Sequence, residues 1–239
     1  DRNTDVDSRR TLPAHSCLSP KEVSQLFPGL PAAGLRAGVV FYDAQMRHCE
    51  RLTLAVAKAA VSAGAHLSNY CELTGLNQSP TDIWSVNVKD RLREGTWSVR
   101  AKAIVNVSGS GSEDVLRCLG LKSDRPTRRY VRGIQLVLPK IQDHYSVALE
   151  SGKVDSNSLI RRGGRSYFLV PWEDSTLAGT YEELAPENAR SFSVSADDRM
   201  RFLEELRSAY RSDLFEPSKV RASFGGLIPL ERGAHIPES

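Results

Sequence analysis

Four cysteines in 239 residues, Cys17, Cys49, Cys71 and Cys118, stand far apart and form no C-x-x-C pair. That spacing excludes a zinc ribbon and a thioredoxin-type redox pair, and it points to a reducing, cytoplasmic compartment. No apolar run approaches the roughly 20 residues needed to cross a bilayer. The charged opening, Asp1 to Arg10, lacks the apolar core of a signal peptide and reads as the cut edge of a longer chain. Neither charge sign dominates: 32 basic against 29 acidic residues leave a net charge of +3, so nucleic acid is not the expected partner. A G-x-S-x-G elbow is lacking, and the five histidines stand at no metal-ligand spacing, so neither a serine hydrolase nor a metal centre is indicated. His48 near Glu50 and His144 beside Asp143 read as solvated residues. Also lacking is any G-x-G-x-x-G run opening a strand-to-helix turn, the usual seat of a dinucleotide pyrophosphate.

What is present suffices for a packed interior, since 40% of the residues are hydrophobic. Ser19-Pro20-Lys21-Glu22 is a capping box with proline at the first helical position, and it predicts a short helix ending before Pro28-Gly29. Gly38 to Tyr42 reads as a strand. Leu52, Val56, Ala59, Ala60 and Ala63 recur at helical spacing from Cys49, with Gly64 as C-cap, and Ala65 to Tyr70 is expected to follow as a strand, completing a crossover unit.

From Asp82 the period changes to two. Ile83 to Val88 and Thr96 to Arg100, joined by the turn Asp90 to Gly95, predict a hairpin in which Trp84 and Trp97 pack across the strands. Ala103 to Val107 is apolar and β-branched enough for a buried strand, and Ser108 to Ser112 turns it into a short helix holding Val115, Leu116 and Leu119. Beyond residue 128, expected strands at Ile134 to Leu138, Tyr145 to Leu149, Tyr167 to Val170 and Thr176 to Thr180 imply an antiparallel sheet. A helix capped by Ser195 presents Met200, Leu203, Leu206 and Tyr210 on one face, and Val220 to Phe224 returns to the sheet. One basic run, Arg117 to Lys140, collects Lys122, Arg125, Arg128, Arg129 and Arg132 against Asp124, and reads as a solvated or anion-facing edge.

The motif order carries a resemblance. Phe41-Tyr42-Asp43-Ala44-Gln45, Glu50-Arg51-Leu52, Ala63-Gly64-Ala65, Thr74-Gly75-Leu76, Val105-Asn106, Leu136-Val137-Leu138-Pro139, Val170-Pro171-Trp172, Gly179-Thr180 and Gly225-Gly226-Leu227 resemble the central part of FAD-dependent glycerol-3-phosphate dehydrogenases, within the glycine/D-amino-acid-oxidase-like flavoproteins. The resemblance implies an α/β (α+β) fold. In that fold an amino-terminal extension with a short helix (1–35) precedes a partial FAD-binding Rossmann-like layer (36–125), joined to an antiparallel-sheet substrate domain with one helix and a return strand (126–239). It implies FAD as cofactor, a polyol phosphate or related alcohol as substrate, a quinone as acceptor, and peripheral association with the inner face of a membrane.

Position by position, the family strand ending in Asn-Ala-Thr-Gly stands here as Asn106-Val107-Ser108-Gly109, which makes Asn106, Ser108 and Gly109 cofactor-side candidates. Leu73 would meet the adenine side through its backbone. Trp172, beside Pro171, is a pocket-wall candidate.

The substrate side departs from the family. Its histidine position holds Gln135, which cannot exchange a proton near neutral pH, so the catalytic residue is unknown. The family's Gly-Leu-Arg-Pro-Leu reads Gly226-Leu227-Ile228-Pro229-Leu230, and Ile228 offers no guanidinium fork for phosphate. Gly-Thr-Thr-Asp has become Gly179-Thr180-Tyr181-Glu182, and Gly-Pro-Trp has become Gly109-Ser110-Gly111. Three accounts stand at this point: a flavoenzyme with changed substrate, a degenerate or truncated homologue, and a non-enzymatic interaction module. The resemblance favours an enzyme for the parent family, and these 239 residues by themselves are expected to be inactive, because the dinucleotide-binding start is not among them.

Overall fold

A computed structural model describes residues 7, 11–118, 120, 130–154, 164–186 and 192–229. The basic-run residues Lys122, Asp124, Arg125, Arg128 and Arg129, together with Leu119 and Leu230, lie outside the described residues.

In chain order come β1 (Ser16–Leu18), α1 (Pro20–Leu26), β2 (Gly38–Val40), α2 (Cys49–Ser62), β3 (Cys71–Gln78), β4 (Trp84–Asp90), β5 (Thr96–Ala101) and α3 (Ser112–Cys118). They are followed by β6 (Tyr130–Pro139), β7 (Val147–Val154), β8 (Gly164–Trp172), β9 (Ser175–Leu184), α4 (Ala196–Ala209) and β10 (Ala222–Pro229). The strands form three antiparallel sheets: the pair β1-β2, the triplet β3-β4-β5, and a five-stranded sheet in the order β10-β6-β9-β8-β7.

The caps read from sequence set both helix starts. At α1 the Ser19 backbone N–H donates to Glu22 Oε2 at 2.7 Å, and the Ser19 hydroxyl accepts from the Glu22 N–H at 3.4 Å. At α4 Ser195 and Asp198 repeat the exchange at 2.9 and 3.1 Å. Each cap satisfies donors that a helix start otherwise leaves open.

Helix α4 covers one face of the five-stranded sheet. Its Phe202, Leu203, Leu206 and Ala209 are buried against Ile134, Leu136, Leu138, Leu149, Tyr167 and Leu169, and full burial of each large side chain contributes about 1.5–3 kcal/mol. The Phe202 ring lies 5.2 Å from both Tyr167 and Tyr181, centroid to centroid, within the range of favourable aromatic pairs. Met200, expected on this face, is exposed, because the buried stripe runs through 202, 203, 206 and 209 and leaves position 200 on the flank. Phe27 joins the same core from the end of α1. Gly29 then passes so close to Tyr210 that a Cβ there would stand 2.4 Å from the ring.

The first part of the chain departs more from the pattern. Ala65 to Tyr70 forms no strand. Pairing with β4 begins only at Cys71, after Tyr70 turns the chain with a φ of 55°. β2 pairs with β1 and β3 with β4, so the strands flanking α2 do not share a sheet and the expected crossover is not made. Ala103 to Val107 is not a strand either, and Val105 and Val107 are 82% and 86% exposed. A β-branched apolar run becomes a buried strand only when neighbours supply its ladder and cover its faces. Among the described residues nothing does. The same reason leaves Leu52 and Val56 of α2 exposed. In the hairpin, Trp97 pairs with Val88 and Trp84 with Ala101, so the two tryptophans are not cross-strand partners.

Candidate functional site

Alternation along the five-stranded sheet sorts its side chains into two faces. Ile134, Leu136 and Leu138 point to α4, so Gly133, Gln135 and Val137 of β6 point the other way. Across β6, Phe224 of β10 stands opposite Gln135 and Ile228 opposite Val131. On β8, Phe168, Val170 and Trp172 share this open face, because the intervening Tyr167 and Leu169 are in the core. Gln135, Trp172 and Ile228, picked out separately in the sequence, therefore lie on one surface.

A β-bulge lies at the middle of that surface. Ile134 pairs with Tyr181 and Leu136 with Ala178, so Gly179 and Thr180 together oppose the single residue Gln135. The peptide between Gly179 and Thr180 is cis. A Cβ on Gly133 would meet the Thr180 methyl at 3.0 Å and Ile228 Cδ1 at 3.4 Å, so Ile228 and Thr180 close over that glycine.

The first part of the chain meets the sheet at two places. Trp172 Nε1 donates to the Arg47 carbonyl at 3.2 Å, and Gln45 Nε2 donates to the Pro171 carbonyl at 3.3 Å, which ties the β2–α2 connection to the end of β8. At the opposite end of β6, the Tyr130 hydroxyl donates to the Ser110 carbonyl at 3.1 Å. Gln45 and Arg47 carried no separate signal in the sequence beyond the motif containing Gln45. Phe168 and Phe224 were legible only as alternate positions of their strands.

The segment with the cofactor-side candidates is a self-bonded loop. Asn106 Oδ1 accepts from the Ser108 N–H at 3.2 Å and from its hydroxyl at 2.6 Å, while Asn106 Nδ2 donates to the Ser112 carbonyl at 3.0 Å. Gly109 has a φ of +56°, and a Cβ there would meet nothing within 4 Å. The loop thus presents an open glycine backbone, as close approach of a flat or phosphorylated group requires. Leu73 lies half-buried in β3, paired with Val88, and its strand borders α3, the helix this loop leads into. These residues fit contact with one edge of a flavin dinucleotide. They do not form the cradle for its pyrophosphate.

The cations in the described part of the basic run are already engaged. Arg132 pairs with Glu183 and, at 3.2 Å, with Asp198, and its guanidinium lies 5.5 Å from the centre of the Phe192 ring. Arg201 reaches Asp198 at 2.6 Å, and Arg117 pairs with Asp114 within α3. For Arg132 this corrects the expectation of a solvated or anion-facing edge: it points to the α4 side, where two carboxylates claim it. Burial raises the Glu183 pKa, but hydrogen bonds from Tyr181 and Arg132 and the two arginine charges outweigh it and hold the carboxyl below its usual range. Asp198 is lowered in the same way: burial raises it, and the Ser195 cap and both arginines overcome that. Among the described residues no group of three or more His, Cys, Asp or Glu is placed to hold a metal ion, and no helix is long and apolar enough to cross a membrane.

The family model for FAD-dependent oxidoreductases matches residues 2–238. The chain belongs to that family. Its curated relatives include a glycerol-3-phosphate dehydrogenase from Synechocystis sp., 28% identical over 92% of this chain and 40% of its own length. The mitochondrial glycerol-3-phosphate dehydrogenase of Mus musculus is 29% identical over 94% of this chain and 30% of its own length. The chain thus spans about a third of the length of the curated relatives it matches. Among solved structures, the glycerol-3-phosphate dehydrogenase from Bacillus halodurans complexed with FAD superimposes with a TM-score of 0.72 at 24% identity, covering 90% of this chain and 41% of that one. L-Proline dehydrogenase from P. horikoshii gives a TM-score of 0.60 at 14% identity, covering 91% and 53%. Both likenesses establish the fold alone: α and β elements with antiparallel sheets.

Proposed function

We propose that these residues form the substrate-facing part of a flavin-dependent dehydrogenase of the glycerol-3-phosphate dehydrogenase type, which oxidises a small hydroxylated or phosphorylated substrate. The observation that carries this reading is the convergence of Gln135, Trp172 and Ile228 on one open sheet face; the residue after the Asn106–Gly109 segment, Ser110, is tied to Tyr130 at the start of β6. Residues 36–125 then serve as the cofactor side and 126–239 as the substrate side, with 1–35 as an extension that adds Phe27 to the core.

When bound, FAD supplies acceptance of a hydride from the alcohol carbon. Asn106, Ser108 and Gly109 would border it through the loop backbone, and Leu73 through its main chain. Trp172 walls the substrate space, held in place by its bond to the Arg47 carbonyl. Gln135 can orient a hydroxyl by donating and accepting hydrogen bonds, but it cannot take up its proton. A quinone acceptor, peripheral membrane attachment and a cytoplasmic face belong to the same reading, as the sequence resemblance implies.

By themselves the 239 residues are inactive on this reading, because they contain no G-x-G-x-x-G cradle for the pyrophosphate. The test is acid release of chromophore from the purified chain, followed by titration with FAD, with a longer chain that includes a glycine-rich turn as comparison. Flavin held by the longer chain alone, with alcohol-dependent dye reduction, supports the proposal. A longer chain that binds no flavin overturns it in favour of a non-catalytic homologue, the second reading, which the replacement of a proton-exchanging residue by Gln135 favours.

A further inference from the structure

The open face of the five-stranded sheet has an uneven charge distribution. Among the residues whose side chains are described, its strands place no lysine or arginine there. The cation of β6, Arg132, points to the opposite face and is held by Glu183 and Asp198. The charge that the open face does carry is negative: Glu182 is exposed and stands opposite Gly133. Around it Phe168, Phe224 and Ile228 remain 46%, 49% and 48% exposed.

This face is bordered, not simply uncovered. The β2–α2 connection reaches its Trp172 end, and at the start of β6 the Ser110 carbonyl is held by Tyr130, whose side chain by alternation lies on the α4 side. A ligand in that space meets three apolar side chains, one amide and a nearby carboxylate. Among the residues whose side chains are described, these strands offer an anion no cation to replace its water, which is costly, and the guanidinium at the Trp172 end, Arg221, is already taken by Asp174 and Ser175; a phosphate is held best by a free guanidinium fork. An alcohol has no such difficulty: the Gln135 amide offers both a donor and an acceptor to a hydroxyl.

Resting on the reading that this face confronts the substrate, we propose that the substrate is an uncharged small alcohol bearing an apolar group, and that its phosphorylated counterparts are excluded. The hydroxyl is held at Gln135. The apolar part lies against Phe224 and Ile228.

The experiment is an NMR titration of the 239-residue chain with 1,2-pentanediol and, separately, with glycerol 3-phosphate, following the resonances of Gln135, Phe224 and Ile228. The diol is expected to shift these residues, with glycerol 3-phosphate at least tenfold weaker. Ile228→Arg is expected to reverse that preference by at least tenfold, with the melting temperature recorded to confirm folding. Phe224→Arg supplies a second cation on the same face should the first variant fail to fold. Glycerol 3-phosphate binding to the parent chain as tightly as the diol overturns the proposal. So does a face that responds to neither ligand, or a folded arginine variant with unchanged preference. FAD binding by the longer chain is measured independently: its failure with diol preference intact overturns the flavoenzyme reading alone, and the converse result overturns this proposal alone.

Discussion

Gly179 exists as glycine because of Gln135: a Cβ built at position 179 would stand 2.7 Å from Gln135 Cγ and 3.4 Å from the Ile134 carbonyl oxygen. The two residues meet across the β6–β9 bulge, so the backbone of β9 sets where the amide of Gln135 can lie. Gly179→Ala is expected to push Gln135 aside and cost about 1–3 kcal/mol, the usual range for overfilling a packed site. Urea unfolding checks the cost. Unchanged Gln135 side-chain resonances in the variant would refute the close approach.

The core predicts a contrast within α4. Phe202, fully buried between Tyr167 and Tyr181, should lose about 3–5 kcal/mol on replacement by alanine. Met200→Ala, two residues away on the exposed flank, should change stability by less than about 0.5 kcal/mol. Similar losses for both would mean that α4 is rotated from the orientation described.

Trp172 ties the amino-terminal part to the sheet through one hydrogen bond to the Arg47 carbonyl. Trp172→Phe keeps an aromatic wall but removes the donor, at a cost of about 0.5–1.5 kcal/mol. Hydrogen exchange should rise in residues 43–48 and stay unchanged in β6. Equal exchange in both proteins would show that the bond does not hold the connection.

Stability should fall in acid through the Arg132–Glu183–Asp198–Arg201 cluster. Both carboxyls are held below their ordinary values in the folded state, so the unfolded chain binds more protons between the folded and unfolded pKa values, and stability increases with pH there. The contribution is complete above the unfolded carboxylate values of about 4 and is lost as pH falls through the lower folded ones. Thermal melts from pH 6 to pH 2 should show this slope, and Glu183→Gln should flatten it. A Glu183→Gln profile parallel to the parent's would exclude that carboxylate as a source.

Short-range chemistry was readable wherever a few neighbouring residues suffice. Ser19 with Glu22 and Ser195 cap their helices as expected, and the structure adds Asp198 as the partner of Ser195; every partner in a capping box lies within one turn. The Asp90 turn likewise closes on itself, its carboxylate accepting from the Leu92 and Arg93 N–H groups. Val105 and Val107 show the limit: their pattern announces burial, but a strand needs a partner, and none of the described residues provides one.

The sequence by itself determined the family, the caps and the strand alternation, and it marked Gln135, Trp172 and Ile228 as positions of interest. Only the tertiary structure decided that these three share one face. Their common surface depends on the register of four strands and on a bulge that lets Ala178 and Tyr181 both face the core across an even-length gap containing Gly179 and Thr180. It also decided that Arg132 faces away from that surface, since its direction follows from the pleat and its charge is taken up by carboxylates 51 and 66 positions along the chain. Local patterns depend on neighbours in sequence, whereas register and charge pairing depend on which distant segments the core brings together.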